Sequence, residues 1–400
     1  RAPGFEPDAV TTLVARDARR NSKGKLRTEQ RPQRAPEETP LELESPFTLR
    51  PSPNERVGLA GPMTVRTGDF RATLVGGFFD DPTILVEPVH RGGGMLFDLG
   101  EVQRYPVKVL NKVTDVFTTH AHTDHFAGFV HLLRTRIHHD GECRIFGPHG
   151  ISERVAALID GFTWDRLEPG EGPVFETVEF HGGRVERWRI RAGDPEPVEL
   201  GEYSAPEGTL VETPRYRIRA CELDHGTPVL AFTLEESENY TVRSDRLNPP
   251  YEPGPWLGEL KRRVAAGHRD DALQLPDGSR ERVGQLADHL LIVEPGEKLT
   301  YATDFGDTAE NRRKIVEFAA DSEILICEAF YADEDSDAAD QYGHLTAAAC
   351  GEIARRAGVG RLIPFHFSAR YEENPEILYR QILEVFEDVE VPEAVARRLG

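Results

Sequence analysis

Residues 117–128 read FTTHAHTDHFAG, three histidines and an aspartate within six positions that directly follow an apolar strand-like run. His120 and His122 are two apart, so on an extended backbone their imidazoles leave the same side and can grip one ion. Asp124 and His125 follow where Thr123-Asp124 reads as a helix N-cap and Phe126, Val130 and Leu133 begin an apolar stripe. That geometry directs them at a second ion beside the first. One short loop at the rim of a sheet is thereby expected to serve two metal sites.

The sequence around this loop reads as a layered α/β protein. Short apolar strands precede it at RATLV, PTILVEP, GGMLFDLG and DVFTTH, separated by Gly/Pro turns, and suggest one half of a β-sandwich. A helix at 124–135, a strand at 143–146, a helix from about 150, and strand-like alternation over 174–191 and 215–235 follow. Residues 236–290 break the pattern with Asn248-Pro249-Pro250, Pro253-Gly254-Pro255 and Pro276-Asp277-Gly278, a composition suited to a protruding arm or loop. Beyond it, strands KLTYATD, EILICEA and RLIPFH alternate with helices at 308–320, 344–357 and 375–387. Residues 1–62 show no periodicity and read as an irregular N-terminal extension, leaving 63–390 as the principal domain.

With 400 residues and 38% apolar content the chain can bury a large core. No run approaches the ~18–20 apolar residues of a membrane span, and no signal peptide is legible, so a cytoplasmic protein without membrane contact is expected. Cys143, Cys221, Cys327 and Cys350 are widely spaced with no C-x-x-C pair, which argues against a disulfide framework or a zinc ribbon. A net charge of −21 argues against indiscriminate nucleic-acid binding and leaves local basic patches to do any such work.

Two divalent ions need more ligands than one loop supplies, so other strand ends must contribute. Three positions qualify: His225 before a Gly-Thr-Pro turn, Asp304 at the end of LTYATD, whose two oxygens could bridge both ions, and His366 at the end of RLIPFH. Both Asp304 and Asp307 are candidates for the bridge.

The pattern H-x-H-x-D-H resembles the signature of the metallo-β-lactamase superfamily. Residues 299–371 resemble ribonuclease Z in particular, most densely in GHLTAAACGEIARRAGVGRLIPFHFSARY at 343–371. FDLGE at 97–101 resembles the strand and acidic turn before the metal loop. GPWLGELK and LPDGS, within 254–279, resemble the arm with which that family clamps tRNA. The chain departs from the family pattern at LVGGFFDDP, residues 74–82, and at Leu345, where serine is usual.

The resemblance implies a four-layer αβ/βα sandwich. It implies that His120, His122 and His225 hold one ion and Asp124, His125 and His366 the other, with Asp304 shared and Asp307 left as a helix N-cap. It further implies a pair of zinc ions, manganese being the alternative, and His344 as the acid that protonates the leaving 3′-oxygen while Asp124 orients the attacking water. The substrate is then a tRNA precursor cleaved after the discriminator base by a homodimer. A small-molecule metallo-hydrolase of the same fold, such as a lactonase, a thioesterase or another phosphodiesterase, is the alternative.

Overall fold

The computed structural model describes residues 62–89, 93–139, 141–168 and 170–400. The extension expected over 1–62 lies, but for its last residue, outside the described residues. The described chain begins with strands β1 (Met63–Arg66), β2 (Phe70–Leu74), β3 (Ile84–Pro88) and β4 (Gly94–Phe97), followed by α1 (Val107–Leu110), β5 (Val113–Phe117), α2 (Thr123–Phe126) and α3 (Phe129–Thr135). Next come β6 (Cys143–Pro148), α4 (Ile151–Asp160), and the meander β7 (Val174–His181), β8 (Arg184–Arg191) and β9 (Asp194–Ser204). These nine strands pair in sequence order into one sheet. Its middle, β4 to β7, is parallel, and its two flanks are antiparallel.

The parallel middle is buried on both faces, which is why its strands read as nearly unbroken apolar runs. Successive side chains still alternate. Phe97, Phe117 and Phe146 enter the core between the sheets, while Leu96, Val116 and Ile145 enter a second core formed with α3 and α4. The Phe117 ring lies 4.6 Å from Phe146 and 5.5 Å from Phe232 of the opposing sheet. Burying one such ring contributes about 1.5–3 kcal/mol.

The second half supplies β10 (Thr209–Glu212), β11 (Tyr216–Asp224) and β12 (Pro228–Glu236). The chain then forms an arm from β13 (Asn239–Val242), α5 (Trp256–Ala265), β14 (Ala272–Gln274), β15 (Arg280–Arg282), α6 (Val283–Leu290) and β16 (Leu291–Glu294). It resumes with β17 (Lys298–Ala302), α7 (Ala309–Phe318), β18 (Ile324–Glu328), α8 (Ser336–Tyr342), α9 (Ala347–Ala357), β19 (Arg361–Phe365), α10 (Glu376–Leu383) and α11 (Glu393–Leu399). The second sheet has the order β10-β11-β12-β17-β18-β19, with its last three strands parallel. Every residue of β18 is buried, as a strand between a facing sheet and a helix layer requires. Helix, sheet, sheet and helix give the four layers expected.

The arm is more ordered than its composition suggests. Antiparallel β13 and β16 make a stem, β14 and β15 a hairpin, and the bounds are 239–294 instead of 236–290. Leu260 and Val264 of α5 pack with Val283, Leu286 and Leu290 of α6 in an apolar cluster made only of arm residues. Their helical spacing is present in the sequence, but the flanking Pro/Gly turns obscure it. No helix among the described residues is long and apolar enough to cross a membrane.

Candidate metal centre

The loop of residues 118–128 leaves the C-terminal end of β5 and is anchored from both sheets. Thr118 N–H donates to the Phe146 carbonyl (2.8 Å), and Leu230 N–H of β12 donates to the Thr119 carbonyl (2.9 Å). Helix α2 begins after His122, which occupies the N-cap position without a side-chain cap, so the expected Thr123-Asp124 cap is corrected by one residue. The single helix expected over 124–135 is two, separated at Ala127-Gly128. Gly128 explains the break: it donates to the Leu99 carbonyl (2.7 Å), and a Cβ there would lie 2.1 Å from that oxygen. Close approach of the 98–100 turn outweighs helix continuity, and it places Asp98 under the histidines.

Residues far apart in sequence converge here. Ligand atoms of His120, His122, His225 and Asp304 lie within 4.8 Å of one another, and so do those of Asp124, His125, Asp304 and His366. Asp304 belongs to both groups. Its Oδ2 is 3.6 Å from His120 Nε2, 3.7 Å from His225 Nε2 and 3.2 Å from His125 Nε2, and its Oδ1 is 3.1 Å from His366 Nε2. Asp124 Oδ2 is 3.4 Å from His125 Nε2 and 3.8 Å from His366 Nε2. Asp307 stands apart, paired with Arg312. The N-cap of α7 is Thr308, whose hydroxyl accepts from Asn311 N–H, so Asp307 is not the cap expected.

The donor set fits divalent cations on two grounds. First, Nε2 of His120, His125 and His366 is buried and has no hydrogen-bond partner, despite carboxylate oxygens 3.1–3.6 Å away. A buried, unsatisfied nitrogen is costly unless something else completes it. Second, the Nδ1 atoms of several rings are engaged elsewhere, which leaves Nε2 as the ligating atom. His225 Nδ1–H donates to the Gly343 carbonyl (2.7 Å) and His125 Nδ1–H to Asp98 Oδ2 (2.9 Å). Thr119 spends its hydroxyl proton on Asp98, so its oxygen accepts from His120 Nδ1–H (3.0 Å).

Two orienting carboxylates were not singled out as site residues from the sequence. Fully buried Asp98 accepts from Thr119 N–H (2.7 Å), Tyr301 O–H (2.7 Å) and His125 Nδ1–H. The FDLGE motif pointed at its turn without revealing these partners. Fully buried Glu328 ends β18 and accepts from Phe305 N–H (2.8 Å) and His344 Nδ1–H (2.8 Å). His344 precedes α9, which starts at Ala347 behind a Thr346 cap and not at 344. Its ring stacks on Phe330 at 4.1 Å and lies 4.9 Å from His225 and 5.9 Å from His366. Three of these strand ends are strained: Asp98, Asp304 and His366 have φ of 56°, 54° and 54°. Each such non-glycine residue costs on the order of 1 kcal/mol, held here by packing around the site.

Electrostatics follow from this crowding. Burial pulls His120 down to about 2, with neighbouring His125 adding to the effect. His125 is also penalised by burial, but the carboxylates of Asp304, Asp98 and Asp124 outweigh it and drive its pKa well up. A divalent cation in the same place would supply the positive charge those carboxylates demand and leave the ring neutral to ligate. For His344, burial opposes protonation and Glu328 reverses it, raising the pKa. Asp124 is opposed by burial, yet its contact with His125 holds it down at about 2.

Asp98→Asn keeps the shape and removes the charge behind His125. It is expected to weaken metal retention by roughly 10- to 100-fold, read by competition against a chelator. Unchanged retention would leave Asp98 a purely structural residue.

Comparison with known proteins gives the family of the chain. Residues 76–202 match the family model described as the metallo-beta-lactamase superfamily. The chain is 29% identical over 284 residues to ribonuclease Z of Deinococcus radiodurans, covering 70% of this chain and 83% of that protein. To ribonuclease Z of Thermobifida fusca it is 30% identical over 291 residues, covering 71% and 78%. Among solved structures, the short form of human tRNase Z aligns over 78% of this chain and 92% of its own at 18% identity and a TM-score of 0.43, a likeness too loose to bear on function.

Proposed function

The chain belongs to the ribonuclease Z family, a metal-dependent hydrolase of the metallo-β-lactamase fold, and from that membership we propose that it removes the 3′ trailer of tRNA precursors. The observation that carries the reading is His344. No proposed ligation needs this residue, yet a buried carboxylate holds its Nδ1, and its ring lies beside ligands of both groups. A proton donor in that place suits a reaction whose leaving group is a poor one, as a ribose 3′-oxygen is.

His120, His122 and His225 would hold one cation, Asp124, His125 and His366 the other, with Asp304 between them. Five imidazoles with carboxylates favour zinc, with manganese the alternative. When bound, such a pair supplies Lewis acidity toward water and toward the phosphoryl oxygens. Asp124, the more exposed of the two aspartates with 38% of its side chain accessible, orients the attacking water. His344 delivers a proton from Nε2 to the leaving oxygen, and Glu328 keeps Nδ1 protonated and the ring aligned.

The arm carries the binding half of the proposal. Arg262 and Arg263 pair with Glu259 and Arg269 pairs with Asp288, whereas Lys261, Arg280 and Arg282 make no ion pair among the described residues. Exposed pairs of this kind are worth ~0–1 kcal/mol and exchange readily for phosphates. The stem residues Val242 and Leu291 are register partners, so residues 243–290 can be replaced by a short Gly/Ser turn. That variant is expected to retain hydrolysis of a bis-aryl phosphate while pre-tRNA affinity falls at least about tenfold and loses salt dependence. A homodimer in which each arm serves the neighbouring subunit predicts that mixing arm-less chains with metal-site mutants restores some cleavage. Unchanged tRNA affinity, or no tRNA binding by the intact protein at low salt, would instead favour a small-molecule hydrolase.

A further inference from the structure

Beside the first ligand group lies a cavity of about 190 Å³ that the chemistry above does not use. His120 and His122 form one wall, Thr227-Pro228 another, and His149 and Arg154 the outer one. Among the described residues no carboxylate lines it, in a chain with 69 acidic and 48 basic residues. Its volume is that of about six waters, enough for a phosphodiester group with part of its sugar.

The outer wall is built for charge. Gly150 has a φ of 87°, and a Cβ there would lie 2.7 Å from Arg154 Nη1. Glycine therefore lets the guanidinium fold back over the start of α4, where Nη1 donates to the Gly150 carbonyl (2.7 Å). The helix N-terminus is not itself the attraction, because buried Glu179 already accepts from Gly150 N–H (2.8 Å) and Ser152 N–H (2.9 Å). The same carboxylate lies 3.0 Å from His149 Nδ1, which leaves Nε2 of that ring unclaimed.

The opposite flank is acidic. A Cβ on Gly100 would meet both Asp81 and the Asp124 carbonyl, and Asp80 stands beside Asp81, paired with Arg104. A polyanion crossing the centre is thus repelled on the side of the second group and accepted on the side of the first. His344 and its loop contribute nothing to the cavity wall. The oxygen that leaves, and the RNA attached to it, belong on the His344 side. The strand that keeps the attacked phosphorus runs toward Arg154.

We propose that His149 and Arg154 form a subsite for the first internucleotide phosphate of the 3′ trailer, one nucleotide downstream of the scissile bond. The inference rests on the tRNA-processing reading. It predicts a dependence on trailer length, since a one-nucleotide trailer has no such phosphate.

The test compares precursor tRNAs with trailers of one and three nucleotides, the latter also with a neutral methylphosphonate at the first trailer linkage. Arg154→Ala is expected to lower kcat/KM on the three-nucleotide trailer, relative to the one-nucleotide trailer, by about 5- to 30-fold, with Arg154→Lys recovering part of it. The salt slope of binding should fall by about 0.7. The methylphosphonate should cost the unaltered enzyme a similar factor, a measurement that needs no mutant to fold, and cost Arg154→Ala almost nothing. Equal losses on both trailers, or the same methylphosphonate penalty in both enzymes, would overturn the subsite while leaving tRNA processing intact. Failure of the unaltered enzyme to cleave any precursor would sink the parent reading, and the subsite with it.

Discussion

His366→Ala is expected to bring bound metal from two ions per chain toward one and to lower hydrolysis by roughly 10³-fold or more. The second group has four members, and His366 is the one that ties Asp304 Oδ1 to Asp124, at 3.1 Å and 3.8 Å. Its position is set by the backbone: the residue directly follows β19 in a left-handed conformation, and Phe367 N–H donates to the Phe78 carbonyl (2.8 Å). Alanine leaves two carboxylates and one imidazole around the second position, while His120, His122, His225 and Asp304 are untouched. A fractional loss of metal with a near-complete loss of turnover is therefore the signature, read by elemental analysis and by hydrolysis of a bis-aryl phosphate on one sample. Two ions retained at normal rate would refute the ligand assignment.

Why the candidate ligands could be picked out in the sequence and their supports could not is a matter of where the information sits. His120, His122, Asp124 and His125 are neighbours in the chain, and His225, Asp304 and His366 each end an apolar run, so residue type and position sufficed. Asp98 and Glu328 also end apolar runs. Their roles depend on partners such as Tyr301, 203 residues from Asp98, and a carboxylate at a strand end looks the same whether it faces solvent or a buried ring. The break at Gly128 was hidden for a related reason. The apolar stripe from Phe126 to Leu133 runs through it, and only the Leu99 carbonyl, brought in by the sheet, makes glycine necessary. In the arm, local turn chemistry obscured helices whose stability comes from packing on one another.

The general-acid role proposed for His344 separates from ligation by substrate. His344→Ala removes a ring that belongs to neither proposed ligand group, so metal content and fold should persist while cleavage of pre-tRNA slows by roughly 10² to 10⁴. The leaving 3′-oxygen is strongly basic and cannot depart well without a proton. An aryl phosphate leaves as a stabilised phenolate, needs none, and should lose far less. The two losses are read on the same metal-loaded preparation, with Glu328→Gln as the companion. That variant keeps a hydrogen bond to Nδ1 but removes the charge that raises the His344 pKa. It should shift the alkaline limb of activity on pre-tRNA to lower pH, because a ring that deprotonates earlier stops donating at a lower pH. Equal losses on both substrates for His344→Ala would take the general-acid role from this residue. Loss of one metal would place it in the ligand set, since its ring lies 4.9 Å from that of His225.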